Sequence, residues 1–294
     1  MTAGYYLILF FCYSIALLPL PARKALASLV AFFLGYIVRY RHGVIRRNLE
    51  HALPAMERRE RSALQRRIYR HLGDQFLEVI SQLHITRKNI ARYCTVTNPE
   101  VLARYYAEGK NIVAVLGHHG NWELASIALS HFGPHQAVAI YKPLSSHISD
   151  RLFHKIRCRL GLQLVTMKDT MRHFTSKHER PHLTIFAGDQ SPMKSEIQHW
   201  CRFLNQDTPV YLGAEKIARK YDIPVLFVEM IQVKRFCYKL TLHKVTDHPK
   251  EEPTFAITNH HTRMLEEAIM RQPELWLWSH KRWKHSPEHA HSQV

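Results

Sequence analysis

The sequence predicts an α/β fold, a mixed sheet flanked by helices, and three observations support it. Apolar runs of strand length alternate with helical patterns from residue 111 to residue 271. Those runs are apolar at consecutive positions rather than at alternate ones, as strands covered on both faces require. A chain of 294 residues with 46% hydrophobic content is large enough to bury such a sheet. There is no internal repeat and no low-complexity linker. Residues 39–294 therefore read as one domain, and residues 1–38 as an apolar segment that associates with a membrane.

The N-terminal segment contains two uncharged runs, residues 5–21 and 25–38, separated by Arg23 and Lys24. Each is shorter than the roughly 20 residues of a spanning helix. Arg39, Arg41, Arg46 and Arg47 follow. Two readings fit. One is a membrane anchor or interfacial hairpin, with Arg23 and Lys24 reaching for head groups. The other is a pair of buried core helices. The terminal, aromatic-rich runs and the basic cluster after them favour the membrane. No basic side chain precedes the first run, which argues against a cleaved secretory signal. Basic residues after an inserted run keep the following chain cytoplasmic.

Residues 57–84 form the next helix. Leu64, Ile68, Leu72, Phe76, Val79, Ile80 and Leu83 recur at helical spacing, although Gly73 interrupts the run. Strands are expected at 111–117, 136–141, 162–166, 182–187, 224–229 and 237–245. Helices are expected at 124–131, 149–160, 213–220 and 254–271. Gly161 supplies the C-terminal stop of the second of these helices.

Chemistry concentrates in Gly117-His118-His119-Gly120-Asn121-Trp122-Glu123. A buried strand delivers His118 to its C-terminal end, and Glu123 falls in the first turn of the following helix. The spacing itself is uninformative. With 22 His and 24 acidic residues, roughly two such pairs arise by chance. His261 and Glu266 form a second pair, within a segment that reads as the surface of one amphipathic helix. Position distinguishes His118. Lys142 and Asp189 also follow strands, and ligand crevices in open α/β sheets lie beyond the carboxyl ends of strands.

A histidine with a carboxylate and no serine or cysteine nucleophile suits proton abstraction from a substrate hydroxyl. His118 would take the proton, and Glu123 would hold the imidazole tautomer. Amides at the start of the next helix would favour the developing negative charge. No Gly-x-Ser-x-Gly elbow, Walker A loop, Gly-x-Gly-x-x-Gly or His-Glu-x-x-His occurs. No cofactor is expected. The five cysteines are scattered and include no Cys-x2-Cys pair, so reduced thiols are the default. The doublets His118-His119 and His260-His261 lack a nearby third ligand, and the tail histidines His285, His289 and His291 read as unstructured, so no metal is expected. The net charge of +17 and pI near 9.8 point to an anionic partner.

The Gly117–Glu123 segment resembles the catalytic motif of the bacterial lipid A late acyltransferases, the lauroyl and myristoyl transferase family. Its relatives include the phosphatidylinositol-mannoside acyltransferases. The resemblance extends through Arg46-Arg47-Asn48-Leu49-Glu50-His51-Ala52-Leu53-Pro54, Tyr141-Lys142-Pro143, Arg157-Cys158-Arg159-Leu160-Gly161, Asp189-Gln190 and Trp276-Leu277-Trp278-Ser279-His280-Lys281-Arg282-Trp283-Lys284. It implies a glycerol-3-phosphate acyltransferase-type fold and an enzyme at the cytoplasmic face of the bacterial inner membrane. Such an enzyme moves a fatty acyl chain from acyl carrier protein, or from acyl-CoA, to a hydroxyl of a lipid A precursor. By the same resemblance His118 is the base and Glu123 its partner, while Arg157 and Asp189 lie near the acceptor. Arg151 and Arg159 compete with Arg157 for that place. Lys142 replaces the more usual Arg, and His119 stands where relatives often carry an aromatic or apolar residue.

Two other functions are open to the same sequence. One is acyl transfer to a different phospholipid, glycolipid or aminolipid. The other is a non-enzymatic nucleic-acid-binding protein, for which the chain shows charge but no reading module. A nucleic-acid partner is therefore not expected.

Overall fold

The computed structural model describes residues 3–287. Helices α1 (Ala3–Ala16) and α2 (Leu20–Phe32) come first, and a π-helical turn at Phe33–Ile37 prolongs α2. Next are α3 (His42–Ala52) and α4 (Arg58–Ser81), then β1 (Cys94–Val96), α5 (Glu100–Ala107), β2 (Ile112–Leu116) and α6 (Trp122–Phe132). The chain continues with β3 (Gln136–Tyr141), α7 (His147–Arg157), β4 (Gln163–Thr166), α8 (Thr170–Thr175) and β5 (His182–Ala187). A small hairpin, β6 (Trp200–Phe203) and β7 (Gln206–Pro209), precedes α9 (Gly213–Tyr221), β8 (Val225–Lys234), β9 (Cys237–Thr246) and α10 (Ala256–Arg271).

Seven strands form one sheet in the order β1-β9-β8-β2-β5-β3-β4. Every neighbouring pair is parallel except β8 and β9. The expected α/β architecture with a mixed sheet is therefore the observed one. β2 lies at the centre and is buried along its whole length. Its alternate side chains enter two different cores. Val113 and Val115 pack with Phe227, Ile217 and Leu265. Ile112, Ala114 and Leu116 pack with Leu124, Ile127 and Ala128 of α6 on the other face.

The N-terminal helices pack against α4. Gly73 is what allows this approach, since a Cβ there would lie 2.4 Å from the Ala27 carbonyl oxygen and 2.8 Å from the Ala31 Cβ. The glycine that weakened the sequence pattern is thus a helix-crossing point. Arg23 does not reach outward. It is buried and donates to the Tyr93 hydroxyl at 3.2 Å. Phe76, expected on the buried face of α4, is instead 56% exposed. The opposite sides of α1 and α2 leave Leu7, Phe10, Phe11, Leu29 and Phe32 open, and Leu17 is open in the turn between them. The stretch Leu20–Ile37 is long and apolar enough to cross a membrane by length and composition.

Candidate active site

Gly117 and Gly120 set the path of the chain as it leaves β2. A Cβ at Gly117 would meet the Leu265 side chain at 2.5 Å. Gly120 has φ of +66°, and a Cβ there would meet Met230 Sδ at 2.8 Å. The loop between them is tied to the C-terminal segment. Gly120 N–H donates to the Leu275 carbonyl at 3.0 Å, and Leu277 N–H donates to the His118 carbonyl at 3.1 Å. His119 is buried, with its Nε2 3.1 Å from the Gln272 carbonyl oxygen. It therefore serves the loop rather than the crevice.

Asn121 starts α6 as its N-cap, its side-chain oxygen accepting from Leu124 N–H at 3.0 Å. The same oxygen accepts from Gln82 Nε2 at 3.0 Å, and Asn121 Nδ2 donates to Glu78 Oε2 at 2.9 Å. Tyr238 donates to the same Glu78 carboxyl group at 2.8 Å. Burial pushes the Glu78 carboxyl up to about 8 despite these bonds. This network fixes the loop from behind, and sequence reasoning did not find it. The available signal was two polar residues, Glu78 and Gln82, on the buried face of an amphipathic helix.

The imidazole of His118 is held by Asp189, where the sequence reading gave that contact to Glu123. Nδ1–H donates to Asp189 Oδ1 at 2.6 Å, and the His118 backbone N–H donates to Oδ2 at 2.9 Å. Trp276 Nε1–H donates to the same Oδ2 at 2.8 Å. The sheet accounts for this pairing. β2 and β5 are parallel neighbours with Leu116 opposite Ala187. Continuing that register by two residues sets His118 opposite Asp189. Trp122 closes one side of the ring, edge to face, with centroids 4.7 Å apart. Gln190 Nε2 lies 3.1 Å from His118 Nε2.

Glu123 is buried on α6 and engages Arg157 of α7. Arg157 Nε–H and Nη2–H donate to its two carboxylate oxygens at 2.6 and 2.5 Å, a fork-to-fork pair. The competing arginines are occupied elsewhere. Arg151 stacks over Tyr5 at 4.3 Å, and Arg159 donates to the Ile85 carbonyl. His118, Glu123, Arg157 and Asp189 therefore gather at one end of the sheet, as two hydrogen-bonded pairs. Lys142 follows a strand at the same end but is exposed.

Electrostatics distinguish the two members of the histidine pair. Burial alone would lower the His118 pKa, but the Asp189 charge and hydrogen bond outweigh it and the net shift is upward. Glu123 adds to the rise and Arg157 opposes it. Burial would raise the Asp189 carboxyl, yet His118 and the donated hydrogen bonds hold it far below the usual carboxylate range. With Nδ1–H committed to an ionised Asp189, the neutral ring carries its lone pair on Nε2. That is the form of a general base.

Over residues 1–285 the chain matches the model of the family described as bacterial lipid A biosynthesis acyltransferase. The lipid A biosynthesis palmitoleoyltransferase of Escherichia coli (strain K12) is 21% identical over 272 residues, which span 92% of this chain and 87% of that protein. The lipid A biosynthesis acyltransferase of Shigella flexneri aligns with the same identity and coverage. The lipid A biosynthesis lauroyltransferase of Escherichia coli (strain K12) is 21% identical over 273 residues, spanning 92% of this chain and 88% of its own. A match along nearly the whole length places the chain in the bacterial lipid A biosynthesis acyltransferase family, as an enzyme that transfers acyl groups.

Proposed function

We propose that this enzyme acylates a hydroxyl of a lipid A precursor at the cytoplasmic face of the inner membrane, with acyl carrier protein or acyl-CoA as the thioester donor. The observation that carries the reading is the 2.6 Å bond from His118 Nδ1 to Asp189, which leaves Nε2 as the proton acceptor. The acceptor hydroxyl replaces the Gln190 amide at Nε2 and gives up its proton there. Its oxygen attacks the thioester carbonyl, and the tetrahedral intermediate collapses to an ester. The departing thiolate takes the proton back from the imidazolium, and a free thiol leaves. Asp189 stabilises that imidazolium and keeps the tautomer. Glu123 serves the site by holding Arg157, whose guanidinium offers charge to an anionic acceptor group or to the developing oxyanion. The dipole at the start of α6 acts in the same direction.

The N-terminal helices supply the membrane contact in this reading. Their exposed apolar side chains enter the lipid, and Arg39 and Arg41 meet anionic head groups. The overall charge of +17 suits both an acidic carrier protein and a phosphorylated acceptor.

The test uses detergent-purified enzyme, a lipid A precursor lacking late acyl chains, and either acyl carrier protein or CoA thioesters, with product read by mass spectrometry. His118→Ala is expected to lower turnover by at least about 1,000-fold while leaving the melting temperature near that of the parent. A variant that still acylates at the parental rate removes His118 from the reaction. Comparing the two donors at equal concentration separates carrier-protein recognition from thioester chemistry.

A further inference from the structure

At the far end of β5 from Asp189, three histidines converge from three different segments. His173 lies on α8, His178 on the connection that follows it, and His182 is the first residue of β5. Seven residues of extended chain separate His182 from Asp189, so the cluster is roughly 20 Å from the catalytic histidine pair. Ring centroids are 4.6 Å apart for His173 and His178, 4.6 Å for His173 and His182, and 4.7 Å for His178 and His182. One ring nitrogen from each lies within 4.8 Å of those of the other two.

His182 stands out within this group. It is 2% exposed, and neither of its ring nitrogens has a hydrogen-bond partner among the described residues. A buried imidazole N–H left in that state is costly unless something else engages the ring. A neutral imidazole keeps a lone pair on one ring nitrogen, the form that binds metal. The Thr184 hydroxyl, 3.3 Å from His173 Nε2, is available as an outer-shell partner.

We propose that His173, His178 and His182 form a binding site for a divalent transition-metal ion, separate from the acyl-transfer site. Bonds of about 2.0–2.1 Å in a tetrahedral arrangement place donor atoms about 3.3 Å apart. Rotation of the exposed His178 side chain, whose Nε2 gives up its 2.7 Å contact with the His173 carbonyl oxygen, and small ring adjustments in the other two close the remaining gap. Three neutral imidazoles select Zn2+, Co2+, Ni2+ or Cu2+ over the hard cations Mg2+ and Ca2+. A fourth ligand, such as water, approaches from the side of His178. The ion would fasten the connection at residues 176–181 to the start of the strand that ends at Asp189.

The experiment uses full-length enzyme purified without a histidine tag and stripped with chelator, then titrated with Co2+ and followed by its visible absorption, with Zn2+ in competition. A His289→Ala/His291→Ala variant controls for the C-terminal histidines. One saturable equivalent is expected in both the parent and the tail variant, with a rise in melting temperature on adding Zn2+. His178→Ala, an exposed change that leaves the fold intact, is expected to weaken Co2+ binding by at least about tenfold and to abolish the Zn2+-dependent rise. The proposal is overturned by no saturable binding in the parent, by unchanged binding in His178→Ala, or by loss of binding in the tail variant.

Discussion

Two His-x4-acid pairs occur in this chain, and the structure separates them completely. His118 leaves the end of a central strand, while His261 lies within α10. On one continuous helix, residues five apart point in directions about 140° apart, so His261 and Glu266 do not face each other. His261 turns into the protein, 7% exposed, with its Nε2 lacking a partner among the described residues. The plain surface expected for that pair is therefore not what His261 presents. In the first pair, too, the spacing misleads about contact, because His118 bonds to Asp189 from the adjacent strand. A strand-end histidine finds its partner through sheet order and register. The motif brings Glu123 close enough to influence the ring, but its carboxylate belongs to Arg157.

The largest expected effect tests which acid serves His118. Asp189→Asn preserves shape but removes the charge that stabilises the imidazolium, and the turnover number should fall by about 100-fold to 10,000-fold. The base must be neutral to act, so activity declines as pH falls through the His118 pKa. That value is raised in the parent, and removing Asp189 takes away the chief raising influence. The acidic limb of the kcat/KM profile should therefore lie above pH 6.5 in the parent and move to lower pH in Asp189→Asn. Glu266→Gln is the comparison, expected to stay within about twofold of the parent at every pH. An unshifted limb in Asp189→Asn would return the orienting role to another carboxylate.

Much of the architecture could be read from the chain, because strands buried on both faces write continuous apolar runs. The strands at Gln136–Tyr141 and His182–Ala187 fall where the pattern put them, and α4 and α10 differ from expectation only at their ends. The elements that escaped detection are short or polar. β1 has three residues, the β6–β7 hairpin has strands of four, and α5 is an eight-residue helix between charged segments. The His118–Asp189 contact escaped for a different reason. Two apolar runs separated by about 70 residues do not encode whether they are neighbours in a sheet. Asp189 was recognisable as a polar strand end, but its partner followed only from β2 lying beside β5. Glu78 illustrates the same limit, since a single acid on an apolar helix face does not reveal the asparagine it will hold.

A smaller effect sharpens the role of the second acid. If Glu123 acts through Arg157, disturbing either member should lower activity by a similar factor, and disturbing both should cost little more. Arg157→Lys keeps the charge but loses the fork that engages both carboxylate oxygens. Activity is expected to fall about 10-fold to 100-fold in Arg157→Lys and in Glu123→Gln, and the double variant should fall far short of the product of the two losses. Steady-state kinetics on the three variants supply the coupling. Independent, multiplying losses would show that Glu123 has a task apart from Arg157.

The smallest expected effect concerns stability and isolates the second histidine. Burial holds His261 down to about 4 in the folded protein, against an ordinary value of 6.5 when unfolded. Below pH 6.5 the unfolded chain takes up a proton that the folded one refuses. The favourable contribution is therefore complete above pH 6.5 and is lost as pH falls toward 4, by on the order of 3 kcal/mol in total. His261→Leu removes this linkage and also the partnerless ring nitrogen. Its stability should lie within about 1 kcal/mol of the parent at pH 7 and exceed it by roughly 2 kcal/mol more at pH 5. Denaturant titrations at the two pH values measure the difference, and acyl transfer at pH 7 should stay within about twofold of the parent. A variant whose stability tracks the parent across that range would mean that His261 is already protonated in the fold, with a counter-charge drawn from the groups around it. A loss of acyl transfer would place this histidine, despite its distance in sequence, in the same working unit as His118.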